Sequence, residues 1–439
     1  MRVKRLKMTS FRGIGDLTLE FPTDEPTVFI GINGVGKSSI LDCLAILLSC
    51  LIARIQFDPG SRTTTVKWNG INSYQEREKD LAKGRFLGEQ DIKNGETEIH
   101  NEITILLDSQ ELKWSLSTVQ KGHSTKLNEN LSEFELVTSK KRGHWQESSE
   151  ANIPLAVYYP VNRAVLDIPL EIPKEHLFKQ IDAYYQALTG VKIGFGSFFQ
   201  WFRALEDLEN EERRDNSDYR NRQLEAVREA IYSLLEGFSN LRVRRSPLRM
   251  TVTKQGQELI INQLSDGEKG LLAMVGDLAR RLAIANPSLP DPLQGSGVVL
   301  IDEIELHLHP KWQRKVIPAL KDTFRNCQFI VTTHSPQVIS DVKPDSIYIL
   351  EATPEGIVAK RPDTSFGRDS NYILEVLMGT PARKEEIKDE LLELFRLIDK
   401  GDLDGARHLR QQIADKIGVD EPELVKANVL LRRKEILNR

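Results

Sequence analysis

Hydrophobic and polar residues alternate along the start of the chain, which predicts β-strands at residues 3–8 and 17–21. The next segment, Thr27 to Ile30, is almost wholly apolar, as expected of a strand buried on both faces. A helical pattern then runs from Ser39 to about Ala53. The pattern therefore predicts a buried strand that leads through a short glycine-rich link into a helix.

The middle of the chain has a different pattern. Between residues 57 and 150, short alternating runs such as 98–107 and 112–116 are separated by polar loops, which predicts an antiparallel β insert. Residues 174–238 predict helices with dense mixed charge, which form either a short projecting arm or a compact lid.

The last third of the chain predicts two more buried strands followed by helices. Val298 to Ile301 and Phe329 to Thr332 are continuous apolar runs of the kind found in parallel sheets. Beyond about Asp369 the pattern is that of amphipathic helices, which we expect at 383–399, 402–417 and 421–437.

These elements predict an α/β fold with two parts. The first, residues 1–365, would be a mixed sheet with a phosphate-loop core, an antiparallel β subdomain and a helical insertion. The second, residues 366–439, would be a helical extension, either a docking region for a partner or a plain helical cap on the first part.

Composition narrows the class of protein. The 439-residue chain has a formal net charge of −4, so its surface is not built as a whole for nucleic acid. A small basic cluster at Arg242, Arg244, Arg245 and Arg249 keeps local nucleic-acid binding open.

Cysteine usage and hydropathy favour a cytoplasmic protein without a membrane partner. Cys43, Cys50 and Cys327 form no CxxC pair, as expected of reduced thiols. The apolar run from Ile40 to Ile55 is interrupted by Asp42 and is shorter than the roughly 20 residues that span a bilayer. We expect it to be a core helix.

The segment from Gly31 to Ser38 is a complete phosphate-binding loop, with its glycines, lysine and hydroxyl at the required spacing. Its backbone N–H groups would form a nest for anionic oxygens at the start of a helix. Lys37 would add a full charge at the β- and γ-phosphates, and Ser38 would be a ligand of Mg²⁺.

Leu264 to Glu268 directly precede another helix. Ser265 and Glu268 have the spacing of a helix capping box, which is a structural role. A capped helix start with an exposed hydroxyl and a glycine is also suited to an anion.

Polar residues directly follow two of the predicted buried strands. Asp302 and Glu303 follow the first strand, at the edge where open α/β sheets bind ligands. We expect Asp302 to hold Mg²⁺ and Glu303 to polarise the attacking water. His334 follows the second strand and could donate to the γ-phosphate. His307 and His309 lack a third ligand of clear spacing, so we favour a loop at a subunit interface over a zinc site.

Together these motifs resemble the ABC-type ATPases, in particular the soluble branch that includes the SMC, RecF and OLD families. The resemblance covers residues 1–365 and implies an ABC-type ATPase head that uses ATP and Mg²⁺. The matching elements are the Walker A loop (Gly31 to Ser39), the signature segment (Leu264 to Glu268), the Walker B acids (Asp302 and Glu303), the D-loop region (Leu306 to Pro310) and the switch histidine (His334).

The resemblance also implies the site residues. The catalytic groups would be Glu303, His334 and Lys37, and the metal ligands Ser38 and Asp302. The nucleotide would contact Arg12, Asn33, Gly34, Val35, Gly36, Lys37, Ser38 and Ser39 of one copy, and Ser265, Gly267 and Glu268 of a second copy.

The sequence departs from the family pattern at three places. Asp266 stands where the signature usually has glycine, and Ile304 where many relatives have proline. The Q-loop is not securely placed, although Tyr158 to Arg163 is a candidate segment.

The tail from Phe366 to Pro381 resembles the PtuA ATPases of Septu-type anti-phage systems, which work with a separate HNH nuclease, PtuB. This resemblance implies a homodimer or higher oligomer that closes around ATP and regulates a partner nuclease, with no nuclease activity of its own. The alternative is an SMC- or RecF-like DNA-binding ATPase of repair or recombination.

Overall fold

The computed structural model describes residues 1–57, 64–66, 74–76, 85, 87–119, 126–128, 131–148, 151–162, 178–191, 193–354 and 356–437. Packing divides the chain into two compact units, Met1–Arg368 and Asp369–Arg439.

The strands, in chain order, are β1 (Arg2–Thr9), β2 (Leu17–Glu20), β3 (Thr27–Ile30), β4 (Thr64–Val66), β5 (Tyr74–Glu76), β6 (Glu98–Leu107), β7 (Gln110–Val119), β8 (Lys126–Asn128), β9 (Leu155–Tyr159), β10 (Phe238–Arg245), β11 (Leu248–Lys254), β12 (Gln257–Ile260), β13 (Gly297–Ile301), β14 (Cys327–Thr332), β15 (Ile347–Thr353) and β16 (Gly356–Lys360). The α-helices are α1 (Lys37–Gln56), α2 (Leu131–Glu147), α3 (Phe195–Glu212), α4 (Arg222–Leu234), α5 (Asp266–Ala285), α6 (Pro310–Thr323), α7 (Pro336–Ile339), α8 (Ser370–Tyr372), α9 (Glu385–Lys400), α10 (Leu403–Ile417) and α11 (Pro422–Leu437).

A six-stranded mixed sheet, in the order β16-β15-β3-β14-β13-β9, forms the centre of the first unit. Strand β3 is parallel to β14 and β15, and β13 is parallel to β14 and β9. Every residue of β3, β9, β13 and β14 is buried, which confirms the α/β fold and the continuous apolar strands. The carboxyl ends of β3, β13 and β14 therefore meet at one edge of the sheet.

A second, antiparallel sheet has the order β2-β1-β6-β7-β8. Strand β6 of the predicted antiparallel region thus pairs with the N-terminal strand β1 as well as with β7, whereas β4 and β5 form a separate two-stranded sheet. The expectation of polar loops was wrong for Leu131–Glu147, which is a helix. Phe134 and Thr138, one helical turn apart, are buried, and the Phe134 ring packs on Trp114. The two buried residues among the described side chains of this helix were too few to reveal the helical period in so polar a segment.

Helices α3 and α4 pack on α5 as a compact layer. The buried side chains of α3 are largely aromatic, and Gly276 of α5 leaves room for the Phe198 ring. Glu206 and Glu209 are also buried there, where both form ion pairs with Arg228. The described part of the segment 174–238 is therefore a lid and not a projecting arm.

Helix α1 is long and apolar enough to cross a membrane by length and composition, but 83% of its most apolar window is buried inside the protein. It begins at Lys37 and continues to Gln56, a little beyond the predicted end.

Cys43, Cys50 and Cys327 are buried free thiols, and burial raises the pKa of Cys50 to about 12.

The second unit contains the three helices expected at the end of the chain, now bounded as α9, α10 and α11. They enclose a small apolar core that consists of Leu391, Leu394, Ile398, Ala406, Ile413, Ala414, Leu424, Ala427 and Leu431.

A buried ion network links α5 to strand β9. Asp277 is 1% exposed and accepts hydrogen bonds from Arg280 (2.9 Å), Arg281 (2.6 Å) and the Tyr159 hydroxyl (3.0 Å). Burial alone would raise the pKa of Asp277, but the charges of Arg281 and Arg280 lower it below its ordinary value.

Replacing Asp277 by Ala should lower the free energy of unfolding by about 3–5 kcal/mol, because two buried guanidinium groups would lose their counter-charge. Denaturant unfolding followed by circular dichroism would measure the loss. Asp266→Ala is the matched control on the same helix, since that side chain is 82% exposed. A loss no larger than that of the control would contradict this account of the network.

Candidate functional site

The phosphate loop has the backbone geometry that its glycines permit. Gly34 and Gly36 have φ angles of 79° and 101°, in the left-handed region. A Cβ on Gly31 would lie 2.5 Å from the Leu350 carbonyl oxygen, so the loop packs against β15 only with glycine there. Gly36 is the N-cap of α1 and has no side chain to cover the first N–H groups of the helix. The helix start is thus left open to an anion.

Lys37 lies over the same loop. Its side chain is buried, and its ammonium donates to the carbonyl oxygens of Gly31 (2.9 Å) and Ile32 (3.0 Å). Burial lowers the pKa of Lys37, while the nearby charges of Asp302, Glu303 and Glu305 act in the opposite direction. The ammonium is therefore held at the phosphate loop, where the charges of the carboxylates after β13 act on it.

The hydroxyl of Thr332 organises the two acids after β13. It donates to the Asp302 carboxylate (2.5 Å) and accepts from the Glu303 backbone N–H (2.8 Å). Glu303 has a φ of 45°, which is uncommon for a residue with a side chain. This strained turn lies at the carboxyl end of β13, at the edge of the sheet where the phosphate loop also lies.

His334 follows β14 at the same edge, as predicted. Its backbone N–H donates to the carboxylate of Glu305, and the Thr333 hydroxyl donates to the other oxygen of that carboxylate at 2.7 Å. Thr333 also donates its N–H to the Phe29 carbonyl of β3 (3.1 Å). Strand β3 and the segments after β13 and β14 are thereby joined around one site.

The segment from Leu264 to Glu268 forms the predicted capping box. Ser265 is the N-cap of α5, and its backbone N–H and hydroxyl donate to Glu268 at 3.0 and 2.9 Å. Glu268 is buried and also forms an ion pair with Lys254. Its carboxylate therefore has partners within its own copy, and a contact to a second copy's nucleotide stays a prediction.

Gly267 makes the closest approach between α5 and the loop after β13. A Cβ at this position would lie 2.3 Å from the His307 carbonyl oxygen, and His307 itself has a φ of 60°. The glycine is required for this packing, whatever its contacts in an assembled site.

Arg12 lies outside the phosphate loop and has two acidic partners. Its guanidinium forms ion pairs with Asp42 (2.7 Å) and Asp91 (2.9 Å), and it stacks over the Phe11 ring. A nucleotide contact from Arg12, which stays a prediction, would have to compete with both carboxylates.

The predicted basic cluster is largely neutralised by ion pairs. Arg242 and Arg244 face Glu258, and the Arg244 guanidinium holds the pKa of Glu258 at about 2. Arg245 pairs with Glu206 and Asp207. This part of the β10–β12 sheet is therefore less basic than its sequence indicates.

The remaining predicted segments give weaker information. His309 caps α6 by accepting from the Lys311 N–H at 3.2 Å, which is a structural role. Of the segment Tyr158 to Arg163, the last residue lies outside the described part of the chain.

The sequence interpretation missed Glu305, Thr332 and Thr333. All three belong to segments that had been singled out for other residues. These residues could have been noticed because each carries a hydroxyl or carboxylate close to a predicted catalytic residue. The sequence does not show, however, which of these polar side chains contact one another.

The site residues fit Mg²⁺. Ser38 and Asp302 offer hydroxyl and carboxylate oxygens, the ligand type that this ion prefers. Within the described ranges no group of three or more His, Cys, Asp or Glu residues could hold a metal ion. Phosphate and water oxygens would therefore complete its coordination, as is usual for Mg²⁺ at nucleotides.

Comparison with known proteins defines the class. The chain belongs to the family described as "AAA domain, putative AbiEii toxin, Type IV TA system", whose model matches residues 27–340. The matched range begins at β3 and ends just beyond His334, so it contains the phosphate loop and both strand ends of the site.

Several relatives match nearly the whole chain. The Retron Ec83 probable ATPase of Escherichia coli is 30% identical, over 99% of this chain and 87% of the relative. The Retron Vc95 probable ATPase of Vibrio cholerae is 29% identical, over 92% of this chain and 85% of the relative. Septu protein PtuA of Bacillus mycoides is 22% identical, over 99% of this chain and 56% of the relative, which confirms the predicted resemblance.

Solved structures give a more distant likeness. The SMC head bound to the C-winged helix domain of ScpA has a TM-score of 0.47 and 16% identity, covering 82% of this chain and 98% of that chain. The SMC head domain of Thermotoga maritima has a TM-score of 0.43 and 16% identity, covering 83% of this chain and 100% of that chain. These values are too low to bear on function.

Replacing Gly267 by Ala should destabilise the protein by about 1–3 kcal/mol, because the added methyl group would displace the His307 carbonyl. Denaturant unfolding would measure the change. Gly143→Ala is the control: a Cβ there meets no described atom within 4 Å, so a gain of about 0.5–1 kcal/mol is expected in its helix. Equal stability of the two variants would argue against the close approach at Gly267.

Proposed function

We propose that this protein is an ATP-binding and ATP-hydrolysing switch. The observation that carries the proposal is the convergence of the Lys37 ammonium, the open start of α1 and the acids after β13 at one edge of the sheet. Family membership and the relatives named as probable ATPases support the same activity.

Each group would have a defined task. The loop N–H groups and Lys37 would hold the β- and γ-phosphates, replacing the carbonyl contacts that Lys37 makes to Gly31 and Ile32. Glu303 would orient and polarise the attacking water, and His334 would donate to the γ-phosphate. Mg²⁺, held by Ser38 and Asp302, would neutralise charge on the phosphates.

A second copy would complete the site. The start of α5, with Ser265, Gly267 and Glu268, would face the γ-phosphate bound by the partner's phosphate loop. Hydrolysis would remove the charge that joins the two copies and loosen the pair, because the two states differ in their contacts.

Replacing Glu303 by Gln should lower ATP turnover by about 10²–10⁴-fold, because the amide cannot act as a base. ATP binding should persist, so the variant should accumulate as an ATP-loaded assembly of higher mass. Steady-state phosphate release and light scattering with ATP would measure the two effects. Wild-type turnover in this variant would exclude Glu303 as the base.

We further propose that the switch acts in anti-phage defence in the cytoplasm and regulates a separate nuclease. Support comes from the relatives, which are named as retron ATPases and as Septu protein PtuA. The DNA-repair alternative has less support, because the basic cluster on β10 is paired with acids.

The second unit offers a surface for the partner on α11. This helix buries one apolar face in the core of the unit, yet Val425 (51%), Val429 (61%) and Ile436 (74%) are exposed on the opposite face. With Pro422 and Arg432, these residues follow the 3-4 spacing of a coiled-coil seam.

The charge on this face favours one kind of occupant. The exposed positions of residues 422–436 include Lys426, Arg432 and Arg433, and the acidic Glu423 and Glu435 form ion pairs with Arg383 and Arg407. A partner helix with an apolar stripe and acidic flanks would complement it. Surfaces that bind nucleic acid or a membrane usually carry aromatic side chains, and this face has none. We assign it to the partner nuclease.

Replacing Val425 and Val429 by Glu should abolish co-purification of the proposed partner nuclease when the two proteins are co-expressed, because acidic groups would be buried against an acidic partner. Val419→Glu is the control, since Val419 is 66% exposed but lies off the helix. ATP turnover should be unchanged in both. Retention of the nuclease by the double variant would remove α11 as the docking surface.

A further inference from the structure

The strongest unassigned feature of the site is the position of Glu305. Its two carboxylate oxygens have different donors: one accepts from the His334 backbone N–H, and the other from the Thr333 hydroxyl at 2.7 Å. Glu305 belongs to the loop after β13, whereas both donors belong to the segment after β14. This carboxylate therefore joins the two segments that carry Glu303 and His334.

Further hydrogen bonds fix the direction of the Thr333 hydroxyl. The oxygen of that hydroxyl accepts from the Ser335 N–H at 3.0 Å, so its proton is available to Glu305. The Ser335 hydroxyl donates to Gln313 (2.7 Å), and Gln313 donates to the Leu308 carbonyl (2.7 Å). The two segments are thus joined a second time, on the far side of the loop.

Both oxygens of a carboxylate are needed for this arrangement. Glutamine has one acceptor oxygen, so it could serve only one of the two donors. Aspartate is one methylene shorter and would not reach both donors from the same backbone position. Without this clamp the backbone N–H of His334 would lose its acceptor and the residue could shift, and a misplacement of about 1 Å can cost about 100-fold in rate.

We propose that Glu305 is a positioning residue for ATP hydrolysis: its carboxylate clamps the backbone of His334 and thereby places the imidazole at the γ-phosphate. This inference rests on the proposed ATPase function. Glu305 acts through the main chain of His334 and is not itself in contact with the reacting atoms.

The kinetic test is a double-mutant cycle of Glu305→Ala and His334→Ala in the full chain. Glu305→Ala should lower kcat by about 100-fold while KM for ATP changes by less than about threefold. Because Glu305 acts through His334, the double variant should be no slower than His334→Ala alone. Glu305→Gln should be intermediate, since it keeps one acceptor, and Glu111→Gln, on an exposed side chain, should match the wild type.

A second measurement tests the clamp without turnover. Hydrogen exchange of the peptide that spans residues 333–335 should be faster in Glu305→Ala than in the wild type, because the His334 N–H loses its acceptor. Unchanged exchange would overturn the clamp, as would multiplicative losses of kcat in the double variant. A wild-type protein without ATP turnover would refute the proposed function, and the exchange experiment would still decide the contact.

Discussion

The candidate site depends on one physical constraint: a buried ammonium group lies at the edge of the central sheet, within the electrostatic reach of three carboxylates. Lys37 lies at the start of α1, and its burial disfavours the charged form unless acids are near. Asp302, Glu303 and Glu305 supply that negative charge from the end of β13. The same arrangement suits a nucleotide. A bound triphosphate would compete with the acids for the charge of Lys37, and Mg²⁺ would offset the repulsion between the phosphates and the acids.

The edge is assembled by side chains that bridge neighbouring strand ends. Thr332 holds the backbone of Glu303 and the carboxylate of Asp302, and Glu305 holds the segment that carries His334. The close approach of Gly267 to His307 joins the same loop to the start of α5. A change at the γ-phosphate therefore has a continuous packed connection to the surface that would meet a second copy.

The sequence was most informative where a motif and a buried strand coincide. The phosphate loop, the strands β13 and β14 and the capping box at Ser265 were all located correctly, because glycine spacing and unbroken apolar runs have few alternative structures. It was least informative for long-range pairing. The sheet shared by β1 and β6, the ion pairs that neutralise Arg244 and Arg245, and the clamp at Glu305 all join residues far apart in the chain. Helix α2 was missed because few of its described side chains are buried.

Titration of MgATP into the wild type and into Lys37→Ala, followed by calorimetry, measures whether the nucleotide is held at Lys37. We expect saturable binding to the wild type and its loss in the variant, with unchanged folding by circular dichroism. Equal affinity of the two proteins for MgATP would mean that the nucleotide is not held at this edge of the sheet, and the account would be contradicted.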